Sequence, residues 1–184
     1  MTATAWIILI VGIIAVVGTI LYFQTRTKKL KSKFGPEYDR LVREKGSSVR
    51  AERELEQRTR RVEKFKVHPL PEAERERLAA EWRETQARFV DDPRGALSGV
   101  DHLIDRAMKS CGYPVGAEFS DRAADLSVDH PGVVEHYRIA HDIAESDTRK
   151  PASTEELRLA MKHYKALFED LLGRPVDELT GARR

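Results

Sequence analysis

The chain has a single cysteine, Cys111, in 184 residues, so no intrachain disulfide framework can hold it together. Aromatic residues make up only 7% of it, against 34% charged residues. That balance excludes a large aromatic core and suits exposed helices around a thin one. There is no Walker A loop, no G-x-G-x-x-G and no H-E-x-x-H, and no serine sits in a nucleophile elbow. The spacing of apolar residues shows no convincing period-two strand. Charge is missing altogether from Ala5 to Phe23, AWIILIVGIIAVVGTILYF, and the five residues at the start of the chain carry no Lys or Arg.

That uncharged run is what the sequence has most plainly. Nineteen residues at about 1.5 Å each give a helix of roughly 28 Å, close to the ~30 Å hydrocarbon core of a bilayer. Trp6, Tyr22 and Phe23 lie at its two ends, where aromatic rings favour the headgroup region. A cleaved signal peptide needs cations before the apolar run and small residues at its end. Here the cations follow it, and Tyr22, Phe23 and Gln24 make a poor cleavage site. The run therefore predicts an uncleaved anchor that contacts the lipid bilayer through residues 5–23. Gly12 and Gly18 are six apart, which is not the spacing of close helix pairing.

Arg26, Lys28, Lys29, Lys31 and Lys33 follow the run with no acid among them. The positive-inside rule then predicts the N-terminus outside and the C-terminal bulk in the cytoplasm, at the inner (plasma) membrane. The same five residues form a lipid-facing basic cluster by expectation, attracted to anionic headgroups by about 1 kcal/mol per well-placed cation. From Gln24 to Lys66 there are 15 Lys/Arg against 7 Asp/Glu; from Val67 onward there are 17 against 23. A basic segment next to the membrane thus gives way to an acidic one. The basic stretch lacks interleaved aromatics, so no nucleic-acid partner is expected.

The remainder reads as helices separated by punctuation. Phe34-Gly35-Pro36 breaks the chain, and Pro36 suits a first helical position. Gly46-Ser47-Ser48 interrupts again. Val49 to Phe65 is nearly all charged, with Leu55, Val62 and Phe65 as a narrow apolar stripe, which predicts a stalk with one buried edge and leaves self-association open. After His68-Pro69-Leu70-Pro71, residues Leu78, Trp82, Thr85 and Phe89 share one helix face. Asp92-Pro93 opens a helix burying Leu97, Val100, Ile104, Met108 and Cys111. A short helix is predicted over Ala117 to Leu126, and another from Asp129-His130-Pro131 with Val133, Tyr137, Ala140 and Ala144 on one face. Ser153 with Glu156 forms a capping box before Leu157, Met161, Tyr164, Phe168 and Leu171; Gly173 and Pro175 stop that helix. The prediction is an all-α chain: an N-terminal transmembrane helix (1–24), a basic juxtamembrane helical stalk (25–67), a small antiparallel helix bundle (68–173) and a flexible tail (174–184).

Candidate chemistry is sparse. His136 and His141 are five apart and do not share a face as metal ligands at i, i+4 would, so neither a metal nor a cofactor is expected. Asp91-Asp92 and Asp129-His130 precede prolines at helix starts, which predicts capping rather than acid–base work. Cys111 falls on a core face as a spectator thiol. Asp101, Tyr137, Arg138 and His141 stand out: with Tyr164 and Asp105 they are expected near a bundle seam, where polar groups need partners, as a partner-recognition or pocket cluster.

The segments KFGPEYDRLV, FVDDP, CGYP, SVDHP with YRIAH, and TEELRLAMKHYKALFEDLL together resemble a family of bacterial single-span membrane proteins with no assigned activity. The resemblance extends over essentially the whole chain and implies the same anchor-plus-helices layout. It transfers no catalytic or binding residue. The function these readings predict is non-enzymatic: an adaptor or scaffold at the cytoplasmic face, holding a protein partner. The alternative is a sensor or enzyme with a small-molecule pocket in the bundle.

Overall fold

The computed structural model describes residues 3–114 and 118–173. All eight elements among them are α-helices, and no strand occurs, as the apolar spacing predicts. They are α1 (Ala3–Phe34), α2 (Pro36–Lys45), α3 (Ser48–Val62), α4 (Glu72–Arg88), α5 (Pro93–Ser110), α6 (Phe119–Asp129), α7 (Val134–Arg149) and α8 (Thr154–Leu172). Two compact units divide within α3, between Leu55 and Glu56. The expected tail, 174–184, lies outside the described residues.

In the first unit the apolar run and the basic cluster belong to one unbroken helix, α1. Nothing in the sequence stops it before Gly35, whose φ of 50° ends the helix and turns the chain into Pro36 at the head of α2. A residue with a Cβ is strained at that angle. Gly46, also left-handed, closes α2 in the same way. The start of α3 is tied to the other two helices through one buried carboxylate. Glu52 accepts hydrogen bonds from the Thr27 hydroxyl of α1 (2.7 Å) and the Tyr38 hydroxyl of α2 (3.1 Å), and the Arg26 guanidinium stands 4.0 Å away. A carboxylate that is 5% exposed needs this many partners to remain in place. Burial first, then the Glu52 bond, raises the Tyr38 phenol above its ordinary pKa.

In the second unit α5 is the central helix, packed against both α4 and α8, while α8 also packs along α7 and α6 rests on α7. The reason is pattern. Leu97, Val100, Leu103, Ile104, Ala107 and Met108 give α5 a broad apolar face, and α8 buries Leu157, Met161, Tyr164, Leu167, Phe168 and Leu171 at helical spacing. Trp82 of α4 stacks on Phe168 of α8 with ring centroids 4.7 Å apart and planes 18° from parallel. The chain between α3 and α4 returns past the end of α5. There Gly112, at φ 92°, lies so close to the Lys66 carbonyl that an added Cβ would stand 2.5 Å from that oxygen.

Two expectations at helix starts part company. Asp92 does cap α5, accepting from the Gly95 amide at 2.9 Å, and the Ser153–Glu156 capping box heads α8 as predicted. Asp129 caps nothing. It is the last residue of α6, where it accepts from the Tyr113 hydroxyl at 2.8 Å. The helix predicted from Pro131 begins at Val134, after a turn over 131–133 and without a side-chain cap. His130 bonds instead to Asp170 of α8, so the DHP triplet joins three elements rather than opening one. For the short helix before it, Ala117 lies outside the described residues, and the helix runs Phe119–Asp129.

Candidate functional site

The expected seam exists, and the residue at its centre is one that the sequence reading passes over. Arg122 of α6 is largely buried, its side chain 12% exposed. Its Nε donates to the Tyr137 hydroxyl of α7 (3.1 Å) and stands 3.4 Å from Asp105 Oδ1; its Nη2 is 3.8 Å from Asp101 Oδ2. Asp101 and Asp105 are one turn apart on α5 and present both carboxylates to the same guanidinium. Tyr164 of α8 completes the group, its ring centroid 6.3 Å from that of Tyr137. Residues of α5, α6 and α7 thus meet at one cation, and α8 reaches the group through Tyr137.

The electrostatics follow from burial. Tyr137 and Tyr164 are essentially inaccessible, and burial pushes both phenols well above their ordinary pKa; Arg122 pulls Tyr137 partway back. Burial also raises the Asp105 carboxyl, with Arg122 opposing and Asp101 adding to the rise. For Arg122 itself burial lowers the pKa, but Tyr137, Asp105 and Asp101 outweigh it, so the net shift is upward. A permanently charged guanidinium holds two carboxylates and a neutral phenol. That is the arrangement of a structural ion cluster, with each phenol held away from the ionised form a base would use.

Asp101 and His141 lie on the wall of an open cavity of about 410 Å³ that Tyr164, His102, Glu145 and Arg94 also line. His141 is stacked on Phe119, ring planes 6° from parallel and centroids 3.5 Å apart. Oδ1 of Asp101 is buried with no hydrogen-bond donor among the described residues, and the buried Oδ1 of Asp105 has the Arg122 ion pair but no hydrogen bond of good geometry. The Arg138 guanidinium, its side chain 16% exposed, stands 3.7 Å from Glu135 on the same helix. So the structure brings Asp101, Tyr137 and His141 together with Asp105 and Tyr164. Arg122 has a sequence signal after all. Phe119, Arg122, Ala123 and Leu126 share a helix face, so the arginine is a lone charge on an apolar stripe.

On the other flank of α8 a second open cavity, also about 410 Å³, runs between α4 and α8. Its lining joins Trp82, Phe89, Val90 and Met161 to the cations Arg158, Lys162 and Lys165. Phe89 belongs here rather than to the sealed core: it is the half-buried C-cap residue of α4, and the next residue, Val90, is 83% exposed.

Of the basic cluster, Arg26 faces Glu52, and Lys31 lies 3.3 Å from Asp39 with its ammonium over the Tyr38 ring. Lys28, Lys29 and Lys33 are exposed, the last reaching over Phe34. Cys111 is buried, and burial raises its thiol pKa, as suits a spectator. No group of three or more potential metal ligands occurs among the described residues. Comparison of the chain with protein-family models, with curated proteins and with solved structures returns no match.

Proposed function

We propose that this protein is a single-span membrane adaptor, with its N-terminus outside, its helical units in the cytoplasm, and a protein partner held at the inner face. One observation carries the reading. The apolar part of α1 is exposed on every side: residues 10–23 are all exposed, and Val11, Ile14, Val16, Leu21 and Tyr22 are each more than half exposed. A soluble monomer rarely leaves apolar patches above a few hundred Å² in water. A helix apolar all round requires an apolar solvent, and lipid supplies it. The five cations that follow on the same helix favour the cytoplasmic side for everything beyond them. Tethering confines a partner to a thin layer, so modest affinity suffices.

Orientation is tested with C-terminal reporters. Green fluorescent protein is expected to fluoresce at that end and alkaline phosphatase to stay inactive. The reverse pair would invert the topology and remove the cytoplasmic adaptor.

The second reading is a small-molecule sensor. It is favoured by Asp101, which lines the α5–α7–α8 cavity and whose Oδ1 lacks a hydrogen-bond donor among the described residues, a setting that suits a cationic amine. It predicts a rise in melting temperature with one member of an amine panel, and an unchanged melting temperature across the panel would count against it.

A further inference from the structure

Between α4 and α8 the bundle is incomplete. Both helices rest on α5, and the Trp82–Phe168 stack joins them, but a groove stays open beside that contact. Its floor is apolar: Trp82, Phe89, Met161 and the highly exposed Val90. The buried Trp82 Nε1–H has no acceptor among the described residues. Along one edge run Arg158, Lys162 and Lys165, spaced i, i+4, i+7, a cationic row of roughly 10 Å on a single face of α8. The row stands out because the chain from Val67 onward is acidic, with 17 Lys/Arg against 23 Asp/Glu. Arg158 meets Glu155 in an exposed pair worth only a few tenths of a kcal/mol, which does not withhold it from another carboxylate, whereas the half-buried Lys165 is held to Glu169.

We propose that this groove docks an amphipathic acidic helix of a partner protein. The apolar side chains of that helix lie on Trp82, Phe89, Val90 and Met161, and its Asp or Glu residues, one turn apart, face Arg158 and Lys162. A helix is the occupant that the shape favours. A slot between two helices sharing a third accepts another helix by side-chain interdigitation, with anchors at i, i+3/i+4 and i+7. The row of cations repeats at the pitch at which a helix presents carboxylates. A free acyl chain would leave much of its surface in water in so open a groove. The inference rests on the adaptor reading and names the chemistry of its partner.

The test uses the full chain in its own membrane. A photoreactive residue, Val90→benzoylphenylalanine, is irradiated in cells, and a second, at the exposed Glu135 of α7, serves as comparison. Val90 is too exposed for its replacement to disturb folding. The expected result is a crosslink from position 90 to a mapped segment of another protein with helical apolar spacing flanked by Asp and Glu. The double change Arg158→Glu, Lys162→Glu is expected to cut its yield about tenfold or more, with the melting temperature little changed. A partner crosslinked from position 135 but not from 90 would overturn the groove while leaving the adaptor reading in place. Crosslinks from 90 only to lipid or to a second copy of this chain, or a yield indifferent to charge reversal, would also overturn it. No protein partner from either position would remove both readings.

Discussion

Arg122 joins α6 to polar groups of two other helices. Two carboxylates and a phenol depend on it, and removing one member of a buried ion cluster leaves the others desolvated and unpaired. Arg122→Met is expected to lower stability by about 2–4 kcal/mol in urea unfolding, whereas adding Asp101→Asn and Asp105→Asn to the same variant should recover a good part of that loss. A second residue-scale prediction concerns His136 and His163, whose Nδ1 atoms lie 2.7 Å apart between α7 and α8. Such a contact needs one nitrogen to donate and the other to accept, so protonating both rings sets N–H against N–H. Burial, and then His136, holds the His163 pKa below its ordinary 6.5. The unfolded chain therefore binds the proton first as pH falls, and the native state loses stability below about pH 6.5. His163→Asn should flatten the fall, read as the urea midpoint of wild type and variant between about pH 7.5 and pH 5. Neither cluster is legible as a cluster in one dimension. Asp101, Arg122, Tyr137 and Tyr164 lie on four different helices. The lone charge on the apolar stripe of α6 shows only that Arg122 needs a partner.

At the scale of elements, local chemistry predicts well where it is self-contained. The α8 start is an example: the Ser153 hydroxyl accepts from the Glu156 amide at 3.2 Å, and Glu156 accepts back from the Ser153 amide at 2.7 Å. Every partner lies within four residues, so the sequence alone determines the outcome. Ser153→Ala is expected to cost about 1 kcal/mol, measured by urea unfolding, with little change in far-ultraviolet circular dichroism. Asp129-His130-Pro131 has the same local signature and fails. The Tyr113 hydroxyl and Asp170 take up Asp129 and His130, and the helix starts three residues later. A tertiary partner outcompetes a cap when both draw on the same side chain. Phe89 shows the complementary case. Its spacing with Leu78, Trp82 and Thr85 puts it on the core face, yet it caps the end of α4 half-buried, on the wall of a groove that the first turns of α8 also line.

For the whole molecule, α1 dominates behaviour in solution. Full-length protein is expected to stay in the membrane pellet after alkaline carbonate extraction, and a chain beginning at Gln24 to appear in the supernatant. A full-length chain released by carbonate would count against the span. Composition and periodicity by themselves determine that this chain is all-helical, that a long apolar helix precedes a basic stretch, and where most helices begin and end. These features depend on the identity of residues within a few turns of one another: hydropathy, capping side chains, and glycines that accept a left-handed backbone. Only the tertiary structure decides that Arg122 sits at the centre of the seam, that Asp129 serves Tyr113 instead of a helix start, and that α4 and α8 leave an apolar groove edged with cations. Each of these depends on which helices become neighbours. Neighbours are chosen by the packing of whole faces, and no local pattern records which face meets which.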